Sequence, residues 1–216
     1  MSESSNPQKQ IKPTGTTDHL VMHQAKLNSM VIAIGASTGG TESTLKVLRE
    51  FPKDSPPVLI VQHMPPGFTA MYAQRLDSLC KLNVKEAQNG DVLKAGHAYL
   101  APGDLQMRLT LQGKEKVLSV RSGDKVSSHR PSVDVLFHSV AETMKQHAIG
   151  IIMTGMGRDG AAGLLAMRNA GAYTLGEDKT TCVVYGMPME AKKIGAVMME
   201  VPNHSIVHMV QKQLNK

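Results

Sequence analysis

Val31-Ile32-Ala33-Ile34-Gly35-Ala36-Ser37-Thr38-Gly39-Gly40 begins as a run of branched and small apolar residues and ends in glycines around a serine and a threonine. A short apolar run rich in Val and Ile, closed by a turn signal, reads as a buried strand. Thr41 to Glu50, which follows, has the spacing of an amphipathic helix. The alternation repeats at once, with Val58 to Gln62 as a second buried strand and Gly67 to Leu82 as a second helical stretch. There Phe68, Met71, Tyr72, Leu76 and Leu79 recur at three- and four-residue steps, the pattern of a face packed on a sheet. Strand, turn, helix and strand in this order are the mark of βαβ units, so a doubly wound, mainly parallel α/β sheet flanked by helices is expected.

Further along the pattern changes. His97 to Ala101 reads as a short strand ending in a Pro102-Gly103-Asp104 turn. Gln106 to Leu111 and Lys116 to Val120 flank Gln112-Gly113-Lys114, an added antiparallel hairpin, and this part is not expected to be parallel α/β. Pro131 to His147 carries Val133, Leu136, Val140 and Met144 at helical spacing. The buried run Ile149 to Met153, the glycine-rich loop Thr154 to Gly160 and a helix from Ala161 to Ala170 come next. Ala172 to Leu175, a helix after Pro188, the run Ala196 to Val201 and a last helix after Asn203 complete the series.

A chain of 216 residues that is 41% hydrophobic can bury one substantial core. Residues 1–29 are polar, rich in Ser, Thr, Asn, Gln and Pro, and read as a disordered tail or linker before a single domain at 30–216. Nothing approaches the run of about eighteen apolar residues that a membrane span needs, and the start has no secretory h-region. A cytoplasmic protein without direct membrane insertion is expected. Cys80 and Cys182 form no C-x-x-C pair and read as buried packing residues. The formal charge of +6 suits an acidic partner, but the cations are dispersed, tryptophan is absent and aromatic residues make up 3%, so no nucleic-acid partner is expected.

In an open parallel sheet the functional crevice lies beyond the carboxyl ends of the strands. Ser37, His63 and Asp159 each follow a buried strand at that edge. Ser37 lies in Gly35-Ala36-Ser37-Thr38-Gly39, a G-x-S-x-G between strand and helix, where a nucleophilic serine sits near helix N–H groups suited to an oxyanion. The bland alternative is a turn in which Ser37 or Thr41 caps the helix. A phosphate cradle is a further alternative, making the chain a nucleotide-binding α/β protein, but Thr41-Glu42 stands where a P-loop carries Lys and then Ser or Thr. A serine needs a neutral imidazole to take its proton. Of nine histidines, only His63 directly ends a buried strand, and Met64-Pro65-Pro66-Gly67 stiffens its loop. Asp159, in Thr154-Gly155-Met156-Gly157-Arg158-Asp159-Gly160, is the best placed carboxylate, although an N-cap role competes for its oxygens. The chain order Ser, His, Asp differs from that of α/β-hydrolases, so a different doubly wound sheet is implied. No His, Cys, Asp or Glu cluster has metal-ligand spacing, so neither a metal nor a cofactor is expected.

Val31 to Thr41, Gln62-His63-Met64-Pro65-Pro66-Gly67-Phe68, His129-Arg130-Pro131-Ser132-Val133-Asp134-Val135-Leu136-Phe137 and Thr154 to Gly163 together resemble the catalytic domain of the CheB chemotaxis protein-glutamate methylesterases. The resemblance runs from about Met30 to the carboxyl end, and the family's serine, histidine and aspartate fall on Ser37, His63 and Asp159. It implies demethylation of glutamyl methyl esters on methyl-accepting chemoreceptor cytoplasmic domains, with deamidation of receptor glutamines as a second activity. It also implies backbone oxyanion donors near Thr38 and Met156, the latter by the resemblance alone. The family's receiver domain is not expected in residues 1–29, so a regulatory partner in its place and unphosphorylated basal activity are expectations. Arg158 stands where the family pattern leads us to expect asparagine. A non-catalytic adaptor that binds receptor helices through an idle crevice is the alternative from another functional class.

Overall fold

The computed structural model describes residue 27 and residues 29–216, and the rest of the expected tail lies outside the described residues. Leu27 is buried in the core, so packed structure begins ahead of the expected boundary at Met30. The chain runs through β1 (Val31–Ala36), α1 (Gly40–Glu50), β2 (Val58–Gln62), α2 (Phe68–Leu79), β3 (Asn83–Glu86) and β4 (His97–Leu100). A hairpin of β5 (Gln106–Gln112) and β6 (Glu115–Arg121) follows. Then come α3 (Val133–Met144), β7 (Ala148–Ile152), α4 (Ala161–Asn169), β8 (Tyr173–Glu177), α5 (Met187–Lys193), β9 (Met199–Val201) and α6 (Ile206–Leu214).

Seven strands form one sheet in the order β3-β4-β2-β1-β7-β8-β9, with every neighbouring pair parallel. β5 and β6 form a separate two-stranded antiparallel sheet, with Gln106 opposite Arg121 and Gln112 opposite Glu115, and Val117 of β6 also bridges Val92. The doubly wound sheet with an added hairpin is therefore as expected. Strand alternation splits the core in two. Ile32 and Ile34 of β1 face a cluster that includes Leu45, Leu48, Tyr72, Leu76 and Val210, from α1, α2 and α6. Val31 and Ala33 face the other cluster, with Leu136, Phe137, Leu164, Met187, Met107 and Leu109, from α3, α4, α5 and the hairpin. Both faces of a parallel sheet must be covered, which is why its central strands are apolar throughout rather than alternating.

Four local readings are corrected. β4 belongs to the parallel sheet, pairing with β2 and β3, so the departure from parallel α/β starts at β5. β3 was not anticipated, because Asn83-Val84-Lys85-Glu86 is mostly polar, as an edge strand can be. The buried face of α2 is Thr69, Tyr72, Ala73 and Leu76, while Phe68, Met71 and Leu79 are exposed. Polar atoms on that face find partners: Thr69 Oγ1 donates to Glu86 Oε1 (2.5 Å) and Tyr72 donates to the Thr41 carbonyl (2.8 Å). A satisfied hydroxyl can therefore take a core position that a count of large apolar residues gives to Phe68 or Met71. Cys80 and Cys182 are half-buried free thiols rather than buried ones.

This assignment of the α2 face has a measurable consequence. Leu76→Ala should lower the unfolding free energy by about 2–5 kcal/mol, whereas Met71→Gln should change it by less than about 0.5 kcal/mol. Denaturant unfolding of the two variants distinguishes this face from the expected one, on which both residues would be costly to change.

Candidate active site

The chain leaves β1 toward β2 on one side and later returns to β7 on the other, so strand order diverges at β1. That divergence opens a crevice at the carboxyl ends of β2, β1 and β7. Ser37 is the first residue after β1. Its N–H donates to the Thr154 carbonyl (3.0 Å), and its own carbonyl accepts from Gly40 N (2.8 Å) and Gln62 Nε2 (2.8 Å). His63 extends the β1–β2 pairing by one step, donating its N–H to the Ala36 carbonyl (3.1 Å). Nucleophile and imidazole candidates are thus carried side by side by neighbouring strands. The amino end of α1 has no side-chain cap, so neither Ser37 nor Thr41 plays the capping role.

Asp159 lies in the loop after β7 and is 1% exposed. A buried carboxylate must be supplied with donors, and most of those here come from the amino end of α3. Ser132 Oγ donates to Oδ1 (2.7 Å), Val133 N to Oδ2 (2.7 Å) and Asp134 N to Oδ1 (3.2 Å). His63 Nε2 lies 2.7 Å from Oδ2. Burial pushes the Asp159 carboxyl upward, but the bonds from His63, Ser132 and Val133 outweigh it and hold the group below its ordinary value. The positive end of the α3 dipole acts in the same direction. The N-cap competition foreseen for Asp159 takes an unexpected form: its own helix α4 is capped by Gly160 without a side-chain bond, and Asp159 serves the end of α3 instead.

Because ionised Asp159 can only accept, the hydrogen between it and His63 sits on Nε2. That fixes the tautomer and leaves Nδ1 as the basic nitrogen. Nδ1 is buried and has no hydrogen-bond partner among the described residues. The His63 ring stacks on His129 with centroids 3.6 Å apart and planes inclined by 10°. Burial, and then the neighbouring His63, push the His129 pKa down. A neutral His129 therefore forms one wall of a polar hollow shared with His63, Asp104, Lys125 and Arg130.

Thr38 and Met156 are exposed on the loops that follow β1 and β7, Met156 by 72%. Neither backbone N–H donates to another described residue. Thr154 joins their two loops: besides taking Ser37 N–H, its Oγ1 donates to the Thr38 carbonyl (3.0 Å). Thr154 N in turn donates to Glu177 (2.9 Å), a fully buried carboxylate that also receives Ser43 Oγ (2.9 Å). No group of residues suited to a metal ion occurs among the described residues.

Of the residues singled out in the sequence, His63 and Asp159 are bonded to each other and Ser37 stands at the neighbouring strand end, while the roles of His129, Ser132, Glu177 and Gln62 were missed. Ser132 could have been read as the N-cap of the helix at Val133, and it does accept from Val135 N (3.4 Å). Its donation to a carboxylate 27 positions away leaves no local trace in sequence.

The CheB methylesterase family model matches residues 32–210. Over 167 residues the chain is 56% identical to an Escherichia coli K12 protein named protein-glutamate methylesterase/protein-glutamine glutaminase, covering 77% of this chain and 48% of that one. A protein of the same name from Chromohalobacter salexigens is 57% identical over 168 residues, 78% of this chain and 48% of the relative. The chain thus spans about half the length of the curated relatives it matches. The crystal structure of the Thermotoga maritima CheB methylesterase catalytic domain superposes with a TM-score of 0.82 at 39% identity, covering 86% of this chain and 97% of that domain. With a family model over most of its length, two relatives above half identity and a solved domain of the same fold, this chain belongs to the CheB methylesterase family.

Proposed function

We propose that the chain is a serine hydrolase that demethylates glutamyl methyl esters on the cytoplasmic domains of chemoreceptors, and deamidates receptor glutamines, in chemotaxis adaptation. The observation that carries this reading is the His63 Nε2 to Asp159 Oδ2 bond beside the G-x-S-x-G turn, which leaves a buried, basic Nδ1 next to the strand that delivers Ser37. In this mechanism Ser37 Oγ attacks the ester carbonyl as His63 Nδ1 accepts its proton, and Asp159 stabilises the imidazolium. The oxyanion is received by the N–H groups of Thr38 and Met156. His63 returns the proton to the departing methanol, or to ammonia when the substrate is glutamine. A water activated by His63 then hydrolyses the glutamyl-enzyme. The chemistry needs no metal or cofactor. The proposed place of work is the cytoplasm, in keeping with the absence, among the described residues, of any helix long and apolar enough to cross a membrane. An adaptor with an idle crevice would not react with a fluorophosphonate probe, whereas an activated Ser37 would.

Ser37→Ala should lower methanol release from methylated receptor membranes by ~10⁴-fold or more, with the fold retained, because Ser37 is not a core residue. Release at the wild-type rate would refute the assignment. Asp159→Asn should also cost about 10³–10⁴ in kcat by losing the acceptor that fixes the His63 tautomer. It should lower stability by about 1–3 kcal/mol, the scale of hydrogen bonds to a charged group. The sign with pH follows from a carboxyl held below its ordinary 3.8. Its stabilisation is complete above that value and is lost as pH falls through the lower folded value. The stability gap between wild type and Asp159→Asn should therefore be constant from neutral pH to about 4 and close below it, as measured by denaturant unfolding across that range.

A further inference from the structure

We infer that Gln62 is a positioning residue for oxyanion stabilisation, acting through the Ser37–Thr38 peptide; the inference rests on the assignment of Ser37 as nucleophile and Thr38 N–H as an oxyanion donor. Gln62 is the last residue of β2 and is 2% exposed. Its Nε2 donates to two carbonyls at once, that of Ser37 at 2.8 Å and that of His63 at 3.2 Å. One amide group therefore straps the backbone of the nucleophile to the backbone of the base. The orientation of that amide is fixed by chemistry, since reversing it would set Oε1 against two carbonyl oxygens, none of which can donate.

A peptide unit is planar and trans, so its C=O and N–H point in opposite directions. The Ser37 carbonyl is held inward by Gln62 Nε2 and by Gly40 N. The other end of the same plane is Thr38 N–H, which is thereby aimed outward, where the exposed Thr38 lies at the crevice. With its carbonyl clamped by two donors, the plane cannot rotate without breaking both bonds. The next plane is clamped as well, by Thr154 Oγ1 on the Thr38 carbonyl at 3.0 Å. A donor fixed before the reaction stabilises developing charge without reorganising at the moment of attack.

The fit around Gln62 is tight and carries a cost. A Cβ on Gly40 would lie 2.2 Å from Gln62 Oε1 and 2.7 Å from Ala36 Cβ, so the second glycine of the Gly39-Gly40 pair makes room for the strap. Gln62 Oε1 is itself buried with no hydrogen-bond partner among the described residues. A buried orphan acceptor is unfavourable for folding. A methionine of similar shape would remove that penalty along with the strap. Against that penalty stand the two bonds that Nε2 makes to the Ser37 and His63 carbonyls.

The test is Gln62→Met, which keeps the volume and deletes the donor, with Gln62→Asn, which keeps the amide but withdraws it by one methylene. A donor that acts only on the oxyanion contributes to kcat and not to KM. Removing an oxyanion donor outright costs ~10²–10³ in kcat, and loosening one should cost a part of that, about tenfold. We expect kcat for methanol release to fall about tenfold with KM within about twofold of wild type, and the second-order rate of fluorophosphonate labelling of Ser37 to fall in parallel. Gln62→Met should unfold cooperatively at a Tm within about 5 °C of wild type. A folded Gln62→Met protein with wild-type kcat and labelling rate overturns the inference. So does a fall in Tm with a rise in KM at constant kcat, which is what a merely structural role would give. Labelling separates this inference from the proposed substrate: a wild type that labels rapidly but releases no methanol from receptors removes the receptor assignment and leaves the Gln62 comparison intact. Should neither variant fold, hydrogen exchange of the wild-type Gln62 side-chain amide decides: protection supports the strap, and exchange as fast as an exposed glutamine refutes it.

Discussion

The whole crevice depends on where one buried carboxylate finds its donors. Asp159 cannot be satisfied by water, and the loop after β7 does not itself bond the carboxylate. Its partners are the hydroxyl of Ser132 and the first N–H groups of α3, which are unpaired within any helix and carry the positive end of its dipole. The charge of Asp159 is thus largely balanced before His63 arrives. One consequence is that His63 receives an acceptor that stays ionised. Another is that α3 is pinned against the sheet edge, which brings the amino end of one helix to the carboxyl end of β7.

Such pinning requires backbones to approach closely. A Cβ on Gly35 would stand 2.2 Å from Val133 Cγ1, so the fifth residue of β1 must be glycine for the start of α3 to reach Asp159. In the G-x-S-x-G pentapeptide the first glycine therefore serves helix packing rather than turn geometry. Gly39 serves the turn, with φ at +79°, a conformation that side chains of L-residues rarely adopt. The first glycine thus answers a remote steric demand, whereas Gly39 answers a local conformational one together with a steric one, since a Cβ there would lie 2.4 Å from Val183 Cβ.

This difference also explains what could be read in the sequence. β1, β2 and β7 were legible because both their faces are covered, which produces unbroken apolar runs. Ser37 and His63 followed from the same runs, since each is the first residue beyond a strand end, and Asp159 from the glycine-rich loop that follows β7. β3 was illegible because an edge strand needs few apolar residues. The face of α2 was misread because Thr69 enters the core with its hydroxyl satisfied by Glu86, a partner 17 positions away. His129 was passed over for a related reason: it lies in a connection, and only tertiary structure lays its ring on His63. Local pattern reports burial along one element, and it is silent about polar groups whose partners are brought by another.

The tertiary bonds share a logic that bears on how the proposed serine, histidine and aspartate can stand on a sheet with this chain order. None of the nearby loops is left to hold itself. Thr154 takes Ser37 N–H through its carbonyl and reaches the Thr38 carbonyl through its hydroxyl, while its own N–H is held by Glu177 at the end of β8. Glu177 is bonded to Ser43 of α1, and the Ser43 carbonyl receives Asn203 Nδ2. The loops after β1, β7 and β8 are therefore parts of one hydrogen-bonded frame that reaches the helix following Ser37. A frame of this kind is indifferent to the order in which the chain visits the strands, because it is defined by neighbours in space. Triads recur on unrelated folds for this reason: the chemistry asks for fixed positions of a hydroxyl, an imidazole, a carboxylate and two N–H groups. Adjacent parallel strand ends can supply those positions wherever buried polar groups lock their loops together.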